Sequence, residues 1–288
     1  MGSPSPAPLR VAGACFALDA SPPLNYQSGP MRHLALLLSI LVSCASAPRP
    51  PATATATAAV TASDALRAVV DAPDRSAADR ALDAGRHPAE TLAFFGVRPG
   101  QRVAELFAGG GYTAELLARA VGPEGRVFGQ NNRFLLERFA EAPWSARLAT
   151  PVMRNVTRVD RELDAPIPPE ATNLDAVFFL FSYHDTVWMR TDRAAMNRAV
   201  FASLRSGGVY GIIDHSAADG RGVEDVQTLH RIEQSTLVGE VTAAGFRLDG
   251  EAAFMRNPAD TRDWNDSPMA AADRRGTSDR FVLRFVKP

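Results

Sequence analysis

Residues Arg102–Phe107 read as a buried strand, Ala108 and the run Gly109-Gly110-Gly111 follow at once, and a helical pattern starts at Tyr112. A strand feeding a glycine turn that feeds a helix leaves a chain few folds to choose from. Glycine adopts backbone conformations closed to other residues and lets the main chain pass close beneath a ligand. In open α/β sheets, ligands bind at the carboxyl ends of strands, near the point where strand order reverses. The turn is therefore a fold signal and a candidate site at once.

The rest of the chain fits that reading. Helical patterns are predicted near Ala65–Val70 and Ala77–Ala84, and Pro88 and Glu90 suit the first turn of a short helix ended by Gly96. After the glycine turn, a helix to Ala120 stops at Gly122-Pro123. Strand Arg126–Gln130, helix Arg133–Glu141 and a weaker strand near Val152–Thr157 come next. Asp175–Phe181 is the most apolar strand, followed by helix Arg193–Leu204, strand Val209–Asp214 and a helix over about Val223–Ala244. Near-continuous apolar strands alternating with helices imply a parallel sheet covered on both faces. The last two strands, near Phe246–Phe254 and Phe281–Val286, are joined by a loop without a crossover helix, so they should pair antiparallel. The expected fold is α/β, a doubly wound, mainly parallel seven-stranded sheet with a terminal antiparallel pair, over residues 64–288.

The first 63 residues follow other rules. Met31-Arg32-His33, an apolar run from Leu34 to Val42, and Cys44 have the parts of a secretory signal, and the run is too short to span a bilayer as a helix. Leu41-Val42-Ser43-Cys44 resembles a bacterial lipobox, which implies lipidation of Cys44, membrane attachment through it, and a periplasmic or outer-membrane-anchored protein. Residues 1–30 then read as an over-extended N-terminus, 31–44 as the signal and 45–63, rich in Ala, Pro and Thr, as a flexible tether. Were the run only an apolar stretch, the protein would be cytoplasmic. Cys15 and Cys44 are the only cysteines and both precede the fold, so no disulfide framework or cysteine-ligated metal site is expected within it. A formal net charge of −1 gives no global basic field for nucleic acid.

Polar residues gather after the predicted strands. Phe181-Ser182-Tyr183-His184-Asp185 follows the most apolar strand, and Asp214-His215-Ser216 ends the next. Histidine titrates near neutrality and can take a proton from a hydroxyl or amine. His184 is the candidate general base, oriented by Asp185 or Asp214, with Tyr183 and His215 beside it. His230-Arg231, on the helix near Val223–Ala244, adds a third histidine, but the histidine spacing fits no compact ligand motif and no metal is expected.

Taken together, several segments resemble a group of bacterial predicted methyltransferases, which are class I and use S-adenosylmethionine. They are the Phe-Ala-Gly-Gly-Gly-Tyr-Thr turn at 107–113, Tyr183-His184-Asp185, Gly207-Gly208 with Asp214-His215-Ser216, Leu229-His230-Arg231-Ile232, Arg256-Asn257-Pro258-Ala259-Asp260 and Ser278–Leu283. The resemblance covers roughly residues 80–288. It implies that Glu105 helps position the methionine part of the cofactor, and that Phe107, Ala108, Gly109, Gly110, Gly111, Tyr112 and Thr113 form the approach to it. Asn131 stands where the family has an acid for the ribose hydroxyls, Gln130 beside it is a further cofactor-binding candidate, and Phe107 stands where the family has its first glycine. Asp160 is a candidate for adenine or simply a solvated aspartate. The missing acid also counts against NAD. The Asn/Asp-Pro-Pro-Tyr signature of nucleic-acid amino methyltransferases is absent after the Asp175 strand, so the expected acceptor is a small molecule. The alternative is a retired methyltransferase fold acting as a ligand-binding lipoprotein.

Overall fold

A computed structural model of the chain describes residues 64–288. Residues 1–30, the signal-like run ending in Cys44, and the tether 45–63 lie outside the described residues.

The strands are β1 Arg102–Leu106, β2 Arg126–Asn131, β3 Val156–Asp160, β4 Leu174–Leu180, β5 Leu204–His215, β6 Arg247–Ala252 and β7 Arg280–Val286. They form one seven-stranded sheet in the order β3-β2-β1-β4-β5-β7-β6. The pairs from β3 through β5 are all parallel. β7 runs antiparallel to both β5 and β6 and lies between them. Alternation along β4 supplies both cores: Ala176 and Phe178 face one layer, Val177 and Phe179 the other. β7 does the same, with Val282 and Val286 on one side and Phe281, Leu283 and Phe285 on the other. Burial on both faces is why these strands are apolar throughout.

Helices cover the faces. Residues 64–70 form α1. α2 is Ala77–Arg86, α3 Pro88–Phe94 and α4 Tyr112–Val121. Ser76 caps α2 by accepting from the Asp79 backbone N–H, the usual role of a hydroxyl at a helix start. α5 (Arg133–Leu135) widens into a π-turn over Leu136–Ala140 before α6 (Glu141–Leu148). Pro143, which has no N–H and crowds the carbonyl four residues back, accounts for the widening. α7 (Asp185–Trp188) and α8 (Arg193–Ser203) link β4 to β5; α9 (Val226–Leu229) and α10 (Gln234–Ala243) link β5 to β6.

Two expected elements differ. The third strand begins at Val156, because Pro151–Met153 is a 3-10 turn and Asn155 is tied by its amide to the carbonyls of Ala118 and Gly122 at the end of α4. The long helix expected near Val223–Ala244 is two short ones. His230 takes the left-handed conformation (φ 54°), ends α9, and hands the chain to a parallel bridge between Ile232 and Ser216.

Candidate active site

Strand order reverses between β1 and β4, so their carboxyl ends frame the crevice where such sheets bind ligands. At the end of β1, Phe107 has φ 59°, a conformation costly for a side-chain-bearing residue by about 1–2 kcal/mol. It thus holds a backbone shape that glycine usually supplies. Its N–H donates to the Gln130 side chain at 3.0 Å, and the Ala108 N–H to the Gln130 carbonyl at 2.9 Å.

The three glycines are not equivalent. A Cβ at Gly111 would meet the Trp144 ring at 2.5 Å, and one at Gly129 would meet it at 2.7 Å, so these two glycines make room for a buried indole. Gly110 lies under Pro143, and its carbonyl accepts from Arg147 Nε at 2.7 Å. Only Gly109 faces open space.

Asn131 is fully buried and turned onto the loop. Its amide oxygen accepts from the Gly109 N–H at 2.8 Å and its amide nitrogen donates to the Gly109 carbonyl at 3.0 Å. This two-bond ring needs a donor and an acceptor on one side chain, which a carboxylate lacks. The expectation that Asn131 offers its amide to a ribose diol is therefore corrected: the amide braces the glycine turn. Gln130 is likewise committed, to Phe107 and to the Arg161 carbonyl. Asp160 ends β3 beside Asn131, about half-exposed and held by Arg158 at 2.8 Å. The Tyr112 hydroxyl donates to Asp83 at 2.6 Å.

Beneath the turn, Glu105 is buried, and its Oε2 has no partner among the described residues. Burial pushes its carboxyl up to about 8, against the opposing pull of a hydrogen bond from Thr113 and of the Arg86 and Arg147 charges. Arg86, which the sequence did not single out, is the last residue of α2. Its guanidinium lies 4.5 Å from the centroid of the Tyr112 ring and 5.4 Å from that of Phe181, with no hydrogen-bond partner among the described residues.

Past β4, Phe181 is again left-handed (φ 64°), and the next residues separate. Tyr183 is fully buried, donates to Glu240 at 2.8 Å, and accepts from the Asn197 amide at 2.9 Å. That corrects its expected catalytic role, because the hydroxyl is spent in the packing of β4 against α8 and α10. His184 turns the other way. Its Nδ1 and its backbone N–H each lie 2.7 Å from a different oxygen of the buried Asp214 carboxylate. Its Nε2 lies 3.3 Å from Asp185 Oδ1 and 3.2 Å from His230 Nδ1. Burial alone would push the imidazole down, but Asp214 and Asp185 outweigh it and hold it up to about 10. Both ring nitrogens of His184 thus face protein groups, Nδ1 toward Asp214 and Nε2 toward Asp185 and His230. His215 stacks edge-on to His184 at 5.7 Å between centroids, but its Nδ1 turns to Ser278 and Asp266. A separate cleft of about 700 Å³ lies beyond β5, lined by Ser216, Gln234 and Asp279 among others, with no contribution from β1 or the glycine turn.

The sheet order with its late antiparallel strand defines the class I methyltransferase fold. No family model matches the chain, and no curated protein matches it. Among solved structures, it is similar to a Haloferax volcanii protein described as a methyltransferase and solved with the Trm112 methyltransferase activator. That pair shares 18% identity over 73% of this chain and 93% of the other, with a TM-score of 0.51. It is equally similar to a Galdieria sulphuraria protein described as a sarcosine dimethylglycine methyltransferase, at 18% identity, 72% and 86% coverage, and TM-score 0.51.

Proposed function

We propose that this chain is an S-adenosylmethionine-dependent methyltransferase acting on a small-molecule acceptor. The observation that carries the reading is the unpartnered Glu105 oxygen, buried beneath an open Gly109 at the switch point of a methyltransferase fold. A buried carboxylate left unpaired is costly, and a cationic ligand group removes that cost. When bound, the cofactor supplies a methyl group activated on a sulfonium. Glu105 would hold its ammonium group, the Arg86 guanidinium its carboxylate, and the Gly109 backbone would give close approach. The ribose end fits less well, since Asn131 is committed to Gly109, and cofactor affinity should be moderate rather than tight. The near-zero net charge supports a small acceptor over nucleic acid. Export with lipidation at Cys44 is part of the proposal, and a lipid-sized mass shift lost in Cys44→Ser is the readout for it.

The decisive experiment is calorimetric titration of the protein with S-adenosylhomocysteine, with NAD as control. The expected result is micromolar affinity, about −8 kcal/mol, abolished by Gly109→Val. A folded protein that binds neither ligand would refute the cofactor assignment.

A further inference from the structure

Three atoms from two loops converge beyond β4. His184 Nε2 lies 3.2 Å from His230 Nδ1 and 3.3 Å from Asp185 Oδ1, and the last two are 3.5 Å apart. With one ring proton on Nδ1 facing Asp214, the His184 ring can give up the proton on Nε2 and offer that atom's lone pair to a metal ion. Asp185 Oδ1, 3.3 Å from that nitrogen, is a carboxylate oxygen that accepts when ionised. His230 Nδ1 is the third atom of the cluster, and each of the three can act as a metal ligand.

We propose that this cation is a divalent metal of the zinc class, bound by His184 Nε2, Asp185 Oδ1 and His230 Nδ1. The dimensions carry the argument. From the three separations, a point about 2.05 Å from every ligand atom lies about 0.7 Å out of their plane. That is the height of a tetrahedral centre above its base at ordinary zinc–nitrogen and zinc–oxygen bond lengths. A proton shared among the same atoms fits worse, because charge-assisted hydrogen bonds close to about 2.7–2.9 Å.

The surroundings fit as well. Asp214, accepting from His184 Nδ1, fixes the ring in the way that carboxylates orient metal-binding histidines. His230 and the Phe181 turn before His184 are both held at positive φ, the sort of stored strain found at functional sites. His184 lies at the buried bottom and His230 at the partly exposed rim. Three protein ligands leave a fourth position for water or an oxygen of a bound molecule, as in catalytic zinc sites. The inference does not depend on the cofactor reading, and the two fail separately.

The test is titration of the chelator-stripped full chain with Zn²⁺ by calorimetry and with Co²⁺ by visible absorption. One ion per chain, submicromolar Zn²⁺ affinity and the intense bands of tetrahedral Co²⁺ are expected. His230→Gly permits the left-handed backbone and removes only the ligand. It and Asp185→Asn should each weaken binding at least 100-fold, Asp214→Asn should weaken it about 10–100-fold, and His215→Gln should leave it unchanged. No stoichiometric uptake by the wild-type chain would overturn the site, as would uptake insensitive to both His230→Gly and Asp185→Asn.

Discussion

Glu105 sets the chemistry of the glycine turn through its environment. Its carboxyl, raised to about 8 chiefly by burial, is neutral in the free protein at pH 7. A folded-state value above the ordinary one contributes stability that is full below about 4.5 and is lost as pH rises toward 8. Urea unfolding from pH 5 to pH 8.5 should therefore show the wild type losing a few kcal/mol relative to Glu105→Gln, about 1.4 kcal/mol per pH unit at most. A cationic ligand reverses the preference, so affinity for S-adenosylhomocysteine should fall up to tenfold per pH unit below 8. A stability difference between the two proteins that does not change with pH would remove this account. Asn131 illustrates the same dependence on surroundings: the amide has both a donor and an acceptor for Gly109, which an acid would lack.

The turn from β1 to α4 divides its work among its glycines. Gly109 has nothing within 4 Å of a would-be Cβ, whereas Gly111 is filled by Trp144. Gly109→Ala should therefore cost only the left-handed conformation, about 1 kcal/mol. Gly111→Ala adds overpacking against the indole, for a loss of about 2–4 kcal/mol in denaturant unfolding. Equal losses at the two positions would contradict the packing seen here. Trp144 itself was not read from the sequence, whose predicted helix stopped at Glu141, whereas in the structure it lies on α6. The short piece β4–α7 shows another limit. Tyr183 and His184 are adjacent, yet one packs against α8 and α10 and the other faces Asp214. Which way each pointed depended on where the strand ended, at the left-handed Phe181.

Across the molecule, β7 fastens the sheet. Inserted antiparallel between β5 and β6, it buries Phe281, Leu283 and Phe285 in one core and Val282 in the other. Phe285→Ala should cost about 3–5 kcal/mol in urea unfolding, as for large buried aromatics, while the half-exposed Leu248 on β6 should tolerate alanine with a loss under about 1 kcal/mol. Comparable losses would mean that β7 does not carry the core on this side.

The strands, the glycine turn, the late antiparallel pairing and most helices were legible in the sequence because they rest on local periodicity. Residues alternate along a strand and recur every turn of a helix, whatever surrounds them. The sequence also placed His184 and Asp185 just past one strand and Asp214 and His215 at the end of the next. It did not show that β7 lies between β5 and β6, that the Arg86 guanidinium lies over the Tyr112 and Phe181 rings, or that His230 leaves its helix to meet His184 and Asp185. Those facts join residues far apart in the chain, through packing and hydrogen bonds that form only once the sheet has assembled. Tertiary structure alone therefore decided which candidate side chains share a site and which are spent holding it together.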